Sequence, residues 1–172
     1  SLNDCFRTNQ SLLDVSGKVG LVEMGIDRID AMRHEMLPKV KTLYLSNNNI
    51  HSLDGIESYR SIECLSITNN TIRYVNQLEP LRHLVLLRKL SIAGNPVSMM
   101  PYFRERLLGL CPFLESLDGV PISGAERMSA AGIASTAAIV TEQLQLNELR
   151  NLILRHLSVQ TRFHVLLLNQ VC

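Results

Sequence analysis

The chain has 172 residues, of which 46% are apolar and 19% are charged, a composition that indicates a folded domain with one continuous core. Its 17 basic and 16 acidic residues leave a formal net charge of +1. This balance excludes the strong overall field that gathers nucleic acid or anionic membranes, so we do not expect direct binding of either.

The cysteines and the apolar stretches indicate the compartment. Cys5, Cys64, Cys111 and Cys172 lie far apart, form no CxxC pair and have no histidine at metal-ligand spacing, which favours a reducing environment. No apolar stretch is long enough to cross a bilayer, so we expect a cytoplasmic protein without a membrane segment. Because the chain begins without methionine and ends within an apolar pattern, we also expect it to be a piece of a longer protein.

The first 15 residues are interpreted as a helical cap, because the terminal unit of a repeat array would otherwise expose its core. We accordingly divide the chain into an N-terminal helical cap at 1–15, a repeat array with a C-terminal cap at 16–122, and an α-helical extension at 123–172. The apolar residues available for the first cap are Leu2, Phe6, Leu12, Leu13 and Val15.

Residues 16–97 repeat one spacing, LxxLxLxxNxL. Three copies begin at Val40, Ile62 and Leu87, so successive copies are 22 and 25 residues apart. A weaker copy, 24 residues before the first, places Val19 in the same register and carries Met24 where the others have asparagine. Self-similarity at this period is typical of a solenoid in which each repeat stacks on its neighbours.

The repeat predicts an α/β fold. Its LxL core alternates as a short strand does, and the asparagine that follows should turn inward and satisfy backbone groups at the bend. After each asparagine the apolar residues recur every third position, which fits 3₁₀ turns on the convex side. About four repeats would then form a short parallel sheet on the concave side, with a buried ladder of Asn48, Asn70 and Asn95.

The segment after the third copy contains Asn95-Pro96, Tyr102, Arg104, Pro112 and a final Leu117-Asp118-Gly119. This order resembles the C-terminal cap of the 22-residue class of leucine-rich-repeat proteins. That class includes a phosphatase-1 regulatory subunit, dynein light chain 1, the spliceosomal A-prime protein and several centrosomal and ciliary proteins. The resemblance implies the same solenoid fold and a role in protein binding.

The extension begins with Ser123-Gly-Ala-Glu126, the spacing of a capping box, which predicts a helix start. Apolar residues of this helix fall on two separate faces, so one face could cover the cap and the other a partner or a second copy, or the segment could fold as a helical hairpin. We expect self-association, as a small bundle in preference to a long coiled coil. The residues assigned to it are Ile133, Val140, Leu144, Leu146, Leu149, Ile153 and Leu157.

The outward strand positions of the concave sheet are the candidate partner-binding surface. They are small and neutral apart from one aromatic residue, Tyr44, and a lysine, so they would admit a partner helix with Tyr44 as an anchor. The residues assigned to this surface are Val22, Thr42, Tyr44, Ser46, Cys64, Ser66, Thr68, Lys89 and Ser91.

No catalytic, cofactor-binding or metal-binding constellation is recognised in the sequence. The five histidines are scattered without acidic or cysteine neighbours, and Asp118 is expected to stabilise a turn. Arg60, Arg82, His83 and Arg88 form a modest candidate basic patch.

The favoured function is a non-enzymatic adaptor that binds a protein partner, and its resemblance to centrosomal and ciliary members favours the microtubule cytoskeleton. The alternatives are a spliceosomal-type ribonucleoprotein subunit, which leaves a nuclear location open, and a phosphatase regulatory subunit.

Overall fold

The structure, a computed structural model, describes residues 1–2, 4–5, 16–29, 39–132 and 144–150. These ranges contain a six-stranded sheet in which the strands follow one another in chain order. The first five strands are parallel, as the repeat predicts, and the sixth is antiparallel to the fifth. The strands are β1 (Lys18–Gly20), β2 (Thr42–Tyr44), β3 (Cys64–Ser66), β4 (Lys89–Ser91), β5 (Ser116–Leu117) and β6 (Val120–Pro121).

The core is built from columns of equivalent residues. The central strand residues lie side by side in register and are buried: Val19, Leu43, Leu65, Leu90 and Leu117. Two residues further along each of the first four strands, a second column is buried in the same way: Leu21, Leu45, Ile67 and Ile92. Burial of each such side chain contributes about 1.5–3 kcal/mol to folding, so the two columns fix which strand face points away from the core.

The convex side consists of 3₁₀ helices at Ile56–Ser58, Val75–His83 and Pro96–Met99. Buried residues recur at the three-residue step that the sequence predicts, as in Leu53, Ile56 and Tyr59. A 3₁₀ helix has three residues per turn, so this step keeps one edge of each helix on the core.

Both ends of the array are covered. At the N-terminal end Leu2 is fully buried, and its backbone N–H donates to the Arg28 carbonyl at 3.2 Å. The rest of the expected N-terminal cap lies largely outside the described residues. At the C-terminal end, the cap helix Phe103–Leu110 is followed by β5 and by a hairpin to β6. The repeat alone does not predict this reversal; Asp118 and Gly119, both with positive φ, supply the two-residue turn.

A second helix, residues 124–132, follows the hairpin. Its capping box forms as the sequence predicts, with the Ser123 N–H donating to Glu126 Oε2 at 2.7 Å and the Glu126 N–H donating to Ser123 Oγ at 3.3 Å. Arg127 ties it to the cap by donating to the carbonyls of Pro112 at 2.7 Å and Leu114 at 2.6 Å.

The chain divides into two compact units, Ser1–Ala131 and Gly132–Cys172. In the second unit, residues 144–150 are helical and expose Leu144, Leu146 and Leu149. Four other residues assigned to self-association, Ile133, Val140, Ile153 and Leu157, lie outside the described residues.

Candidate functional site: the concave sheet face

The candidate surface follows from the register of the sheet. Thr42, Cys64 and Lys89 are paired across neighbouring strands, so their side chains form one row. A second row contains Tyr44, Ser66 and Ser91. A third row continues the same register one step beyond the strands and contains Val22, Ser46 and Thr68. All nine residues assigned to the surface are exposed or half-buried, so the structure brings them together on one face.

Three hydroxyl groups at the centre of this face form a hydrogen-bonded cluster. The Ser46 and Ser66 hydroxyl oxygens lie 2.8 Å apart, those of Ser66 and Thr68 lie 3.2 Å apart, and Ser46 donates to Thr68 at 3.3 Å. These hydrogen bonds fix the positions of the three hydroxyl groups, and none of the three groups carries a charge. The centre of the face is therefore flat and polar, which permits close approach of another backbone.

At the N-terminal end of the face, the second and third rows are apolar, whereas the first row begins with the exposed Lys18. Tyr44 is 38% exposed, Val22 is 44% exposed, and Met24, just beyond the third row, is 49% exposed. Met24 is absent from the residues assigned on sequence grounds, because the repeat pattern identifies it only as a replacement for asparagine. Its backbone N–H still binds Asn48 Oδ1 at 3.0 Å, so the substitution leaves the turn in place and adds apolar surface.

The inner asparagines, Asn48, Asn70 and Asn95, are buried beneath the concave face. The buried Asn70 side chain accepts from the Ile50 N–H at 2.9 Å and donates to the carbonyls of Leu45 at 2.9 Å and Ile67 at 3.0 Å. Asn48 and Asn95 make equivalent bonds to their own neighbouring turns. Each amide thus joins two adjacent repeats by groups that the strand ladder leaves unpaired.

An outer ladder, which sequence analysis did not identify, runs along the rim of the face. Asn69 donates to Asn47 Oδ1 at 2.8 Å, and Asn47 donates to Glu23 at 3.1 Å. Both asparagines have positive φ, which asparagine tolerates better than most residues. The paired asparagines at 47–48 and 69–70 are the sequence signal that could have revealed it.

Acid–base or thiol chemistry gains no support from the described residues. The Asp118 carboxylate accepts two backbone N–H bonds, from Ile92 at 2.7 Å and Ala93 at 2.9 Å, as a turn-stabilising residue does. Burial raises the pKa of the Cys111 thiol to about 12, which disfavours its reactive thiolate. Within the described ranges, no group of three or more His, Cys, Asp or Glu residues could hold a metal ion, and no helix could span a membrane.

A family model described as "Leucine-rich repeat" matches residues 12–145. The chain belongs to the leucine-rich repeat family. The leucine-rich-repeat domain described above is a protein-interaction domain.

Curated relatives come from two cellular settings. U2 small nuclear ribonucleoprotein A' of Saccharomyces cerevisiae is 37% identical over 92 residues, which cover 53% of this chain and 39% of that protein. Dynein axonemal assembly factor 11 of Danio rerio is 34% identical over 150 residues, which cover 74% of this chain and 33% of that protein. The chain therefore matches well under half the length of these relatives.

Solved structures support the same fold. The Drosophila melanogaster SNF/U2A' complex contains a chain that is 30% identical, with a TM-score of 0.63 and coverage of 67% of both chains. The Mex67 leucine-rich-repeat domain from Chaetomium thermophilum has a TM-score of 0.57 at 15% identity and covers 75% of this chain and 99% of that one. The second likeness concerns the fold alone.

The candidate basic patch of the leucine-rich-repeat domain is smaller than the sequence suggests. Arg82 pairs with Glu79 at 3.0 Å, and Arg88 pairs with Glu115 at 3.6 Å. Of the four residues assigned to the patch, Arg60 and His83 are left without a carboxylate partner in the described part of the chain. The two ion pairs therefore take Arg82 and Arg88 out of the predicted patch and leave two single basic residues.

Proposed function

We propose that this chain is an adaptor that binds a protein partner on its concave sheet face. The observation that supports the proposal is the arrangement of that face, an uncharged hydroxyl centre beside the exposed apolar group of Val22, Met24 and Tyr44. Small side chains in the centre permit close approach, and exposed aromatic residues are frequent anchors in protein interfaces.

An amphipathic helix is the partner element that fits this face best. A helix with its side chains is about 10–12 Å wide, which matches the three side-chain rows of a sheet whose residues rise about 3.3 Å each. Its apolar residues would contact Tyr44 and Val22, and its polar residues would contact the Ser46, Ser66 and Thr68 hydroxyls.

Affinity capture with matched variants tests this proposal. Tyr44→Ala combined with Ser66→Arg should leave the fold intact and remove at least one partner, with roughly a tenfold or greater loss of affinity. Tyr74→Ala combined with Asn76→Arg likewise removes an aromatic ring and introduces an arginine, at exposed residues of the convex side. Partners that bind equally to all three proteins would contradict the proposal.

For the setting, we propose the cilium, the centrosome or another part of the microtubule cytoskeleton. The alignment with dynein axonemal assembly factor 11 supports it, because it covers 74% of the chain. A ribonucleoprotein particle is the alternative, supported by the U2 A' relatives and by the SNF/U2A' complex. A tagged protein at centrosomes or ciliary bases would support the first setting. Nuclear location with salt-resistant recovery of small nuclear RNA would support the alternative.

We also propose that the helical extension mediates self-association. The supporting observation is that Leu144, Leu146 and Leu149 are all exposed within one short helix. Light scattering should give a multiple of 19.3 kDa for the full chain, and a single-chain mass for a version that ends at Gly132. This truncation keeps the Ser123–Glu126 capping box. A single-chain mass for both proteins would rule out self-association.

A further inference from the structure

A second surface lies at the turns that enter the strands, away from the concave face. In three successive repeats, two buried residues precede the strand and enclose two residues, of which one or both are exposed. The buried pairs are Tyr59 and Ile62, Leu84 and Leu87, and Cys111 and Leu114. The register that pairs Cys64 with Lys89 and Lys89 with Ser116 also aligns these turns. Their exposed residues therefore form a continuous strip across the repeats.

This turn strip changes in chemical character along the array. Its first members are cationic and its last members are apolar; in order they are Lys39, Arg60, Val85, Leu86, Pro112 and Phe113. Val85 is 58% exposed, Leu86 is 45% exposed and Phe113 is 59% exposed. Large apolar side chains grouped on a surface in this way are typical of interaction sites.

The basic side chain of Arg88 contacts two residues at the apolar end of the strip. The Arg88 guanidinium lies 5.8 Å from the centroid of the Phe113 ring and donates to the Val85 carbonyl at 3.2 Å. The same side chain pairs with Glu115 at 3.6 Å. These contacts fix Phe113 beside Val85, so the apolar surface exists before any partner binds.

The basic residues at the other end of the strip are not paired with acidic side chains in the described part of the chain. Glu63, just before β3, is paired with Lys41 at 3.3 Å, and Glu115 is used by Arg88. Lys39 and Arg60 have no carboxylate partner in the part of the chain that the structure describes. Positive charge therefore remains at one end of the strip and apolar surface at the other.

We infer that the turn strip is a docking site for a short protein segment that carries acidic residues at one end and large apolar residues at the other. Neighbouring strands lie about 4.8 Å apart, so the strip spans roughly 14 Å over four repeats. An extended segment of about five residues covers this length. Protein is favoured over RNA because Val85 and Leu86 offer bases no stacking surface, and because Arg88 already covers one face of the Phe113 ring.

Selection from a library of random 12-residue peptides displayed on phage, with the full 172-residue chain as the target, tests this inference. Enriched peptides should carry two or more Asp or Glu residues on one side of two or more large apolar residues. Fluorescein-labelled copies should lose at least tenfold in affinity for Leu86→Ser combined with Phe113→Ser. Arg60→Glu alone, a change at an exposed and unpaired side chain, should also weaken them at least tenfold.

The concave variant, Tyr44→Ala with Ser66→Arg, should bind the same peptides as the unmodified chain does, so this test is separate from that of the proposed function. Matching thermal melts establish that each variant is folded. The inference is overturned if no enriched peptide is weakened by the strip variants. It is also overturned if a 12-nucleotide oligouridine binds the chain and the same variants abolish that binding, since the strip would then recognise RNA.

Discussion

The backbone N–H of Ile92 donates to the carboxylate of Asp118 at 2.7 Å, and this bond continues the pairing of β4 with β5 beyond Leu117, where β5 ends. One repeat earlier in the array, the equivalent N–H of Ile67 donates to a backbone carbonyl of the next strand, that of Ser91, at 2.8 Å. The Asp118 side chain therefore takes the place of the backbone carbonyl that β5 would supply if it continued parallel to β4. It also accepts from the Ala93 N–H at 2.9 Å, so one carboxylate oxygen satisfies two groups.

Removal of the Asp118 carboxylate should destabilise the fold. Asp118 has a φ of 51°, so Asp118→Gly removes the acceptor without backbone strain. We expect a loss of about 1–3 kcal/mol in the free energy of unfolding, measured by urea denaturation. Asp118→Asn, which keeps an acceptor oxygen and tolerates this φ, is the matched control and should lose less. Equal stability of Asp118→Gly and the unmodified chain would contradict the role of the Asp118 carboxylate as acceptor for the Ile92 and Ala93 N–H groups.

The inner asparagine ladder gives a second prediction. Asn70→Ala leaves the buried Ile50 N–H without its acceptor, while the Leu45 carbonyl loses one of its two side-chain donors and keeps the bond from Asn48. We expect the free energy of unfolding to fall by about 1–3 kcal/mol. Asn49→Ala, at an exposed neighbouring position, should change it by less than about 0.5 kcal/mol. A similar effect of both substitutions in thermal or urea unfolding would argue against the ladder.

Gly94 is predicted to be coupled to the outer ladder. A Cβ atom at Gly94 would lie 2.0 Å from Asn69 Oδ1, and the residue has a φ of 75°. Gly94→Ala should therefore cost about 1–3 kcal/mol, from backbone strain and from displacement of the Asn69–Asn47 hydrogen bond.

A double-mutant cycle separates these two causes. In an Asn69→Gly background, the cost of Gly94→Ala should fall by roughly 0.5–1.5 kcal/mol, because the contact with the Asn69 side chain is gone, while the backbone strain and a 3.2 Å contact with the nitrogen of residue 69 remain. Gly109→Ala is the control, since its added Cβ meets no atom within 4 Å. Strict additivity of the Gly94 and Asn69 substitutions would show that the two positions are independent.

Glu126 should make stability depend on pH in the acidic range. Hydrogen bonds from the Ser123 backbone N–H, the Arg104 side chain and the Ser123 hydroxyl lower the pKa of Glu126 from 4.5 to about 2. A lowered carboxyl pKa stabilises the folded state above the unfolded value, and this contribution is lost as the pH falls from about 4.5 through about 2. Glu126→Gln should therefore show a smaller drop in melting temperature over this window.

The control for this prediction is Glu105→Gln on the cap helix. Its carboxylate has no hydrogen-bond partner in the described part of the chain, so the substitution should leave the acid dependence of the melting temperature as it is. Identical acid profiles for Glu126→Gln and the unmodified chain would contradict the assigned role of Glu126.

The fold was predictable because the chain repeats the same spacing of apolar residues and asparagine. Leu43, Leu65 and Leu90 occupy the same place in successive copies, so one spacing determines strand position, sheet register and the buried face together. The confirmed 3₁₀ turns follow from the three-residue step after each asparagine. The antiparallel β6 was not predicted, because it depends on a two-residue turn at Asp118-Gly119 that occurs once.

Surface features were harder to predict, since they depend on which individual side chains pair with one another. The pairing of Arg88 with Glu115 and of Arg82 with Glu79 removed two members of the expected basic patch. The exposure of Met24 was hidden because the repeat pattern assigns that position to a turn residue. The use of the concave face by a partner stays a prediction, because strand register determines which side chains are presented but not what they bind.

Site-specific photo-crosslinking from position 44 is the measurement that tests the adaptor account most directly. A photoreactive phenylalanine derivative in place of Tyr44 keeps an aromatic side chain on the concave face, and the same group in place of Glu79 samples the exposed convex side. The account predicts a discrete protein adduct from position 44 in cells, and none of that adduct from position 79. Equal adducts from both positions, or adducts from position 79 alone, would contradict a partner on the concave face.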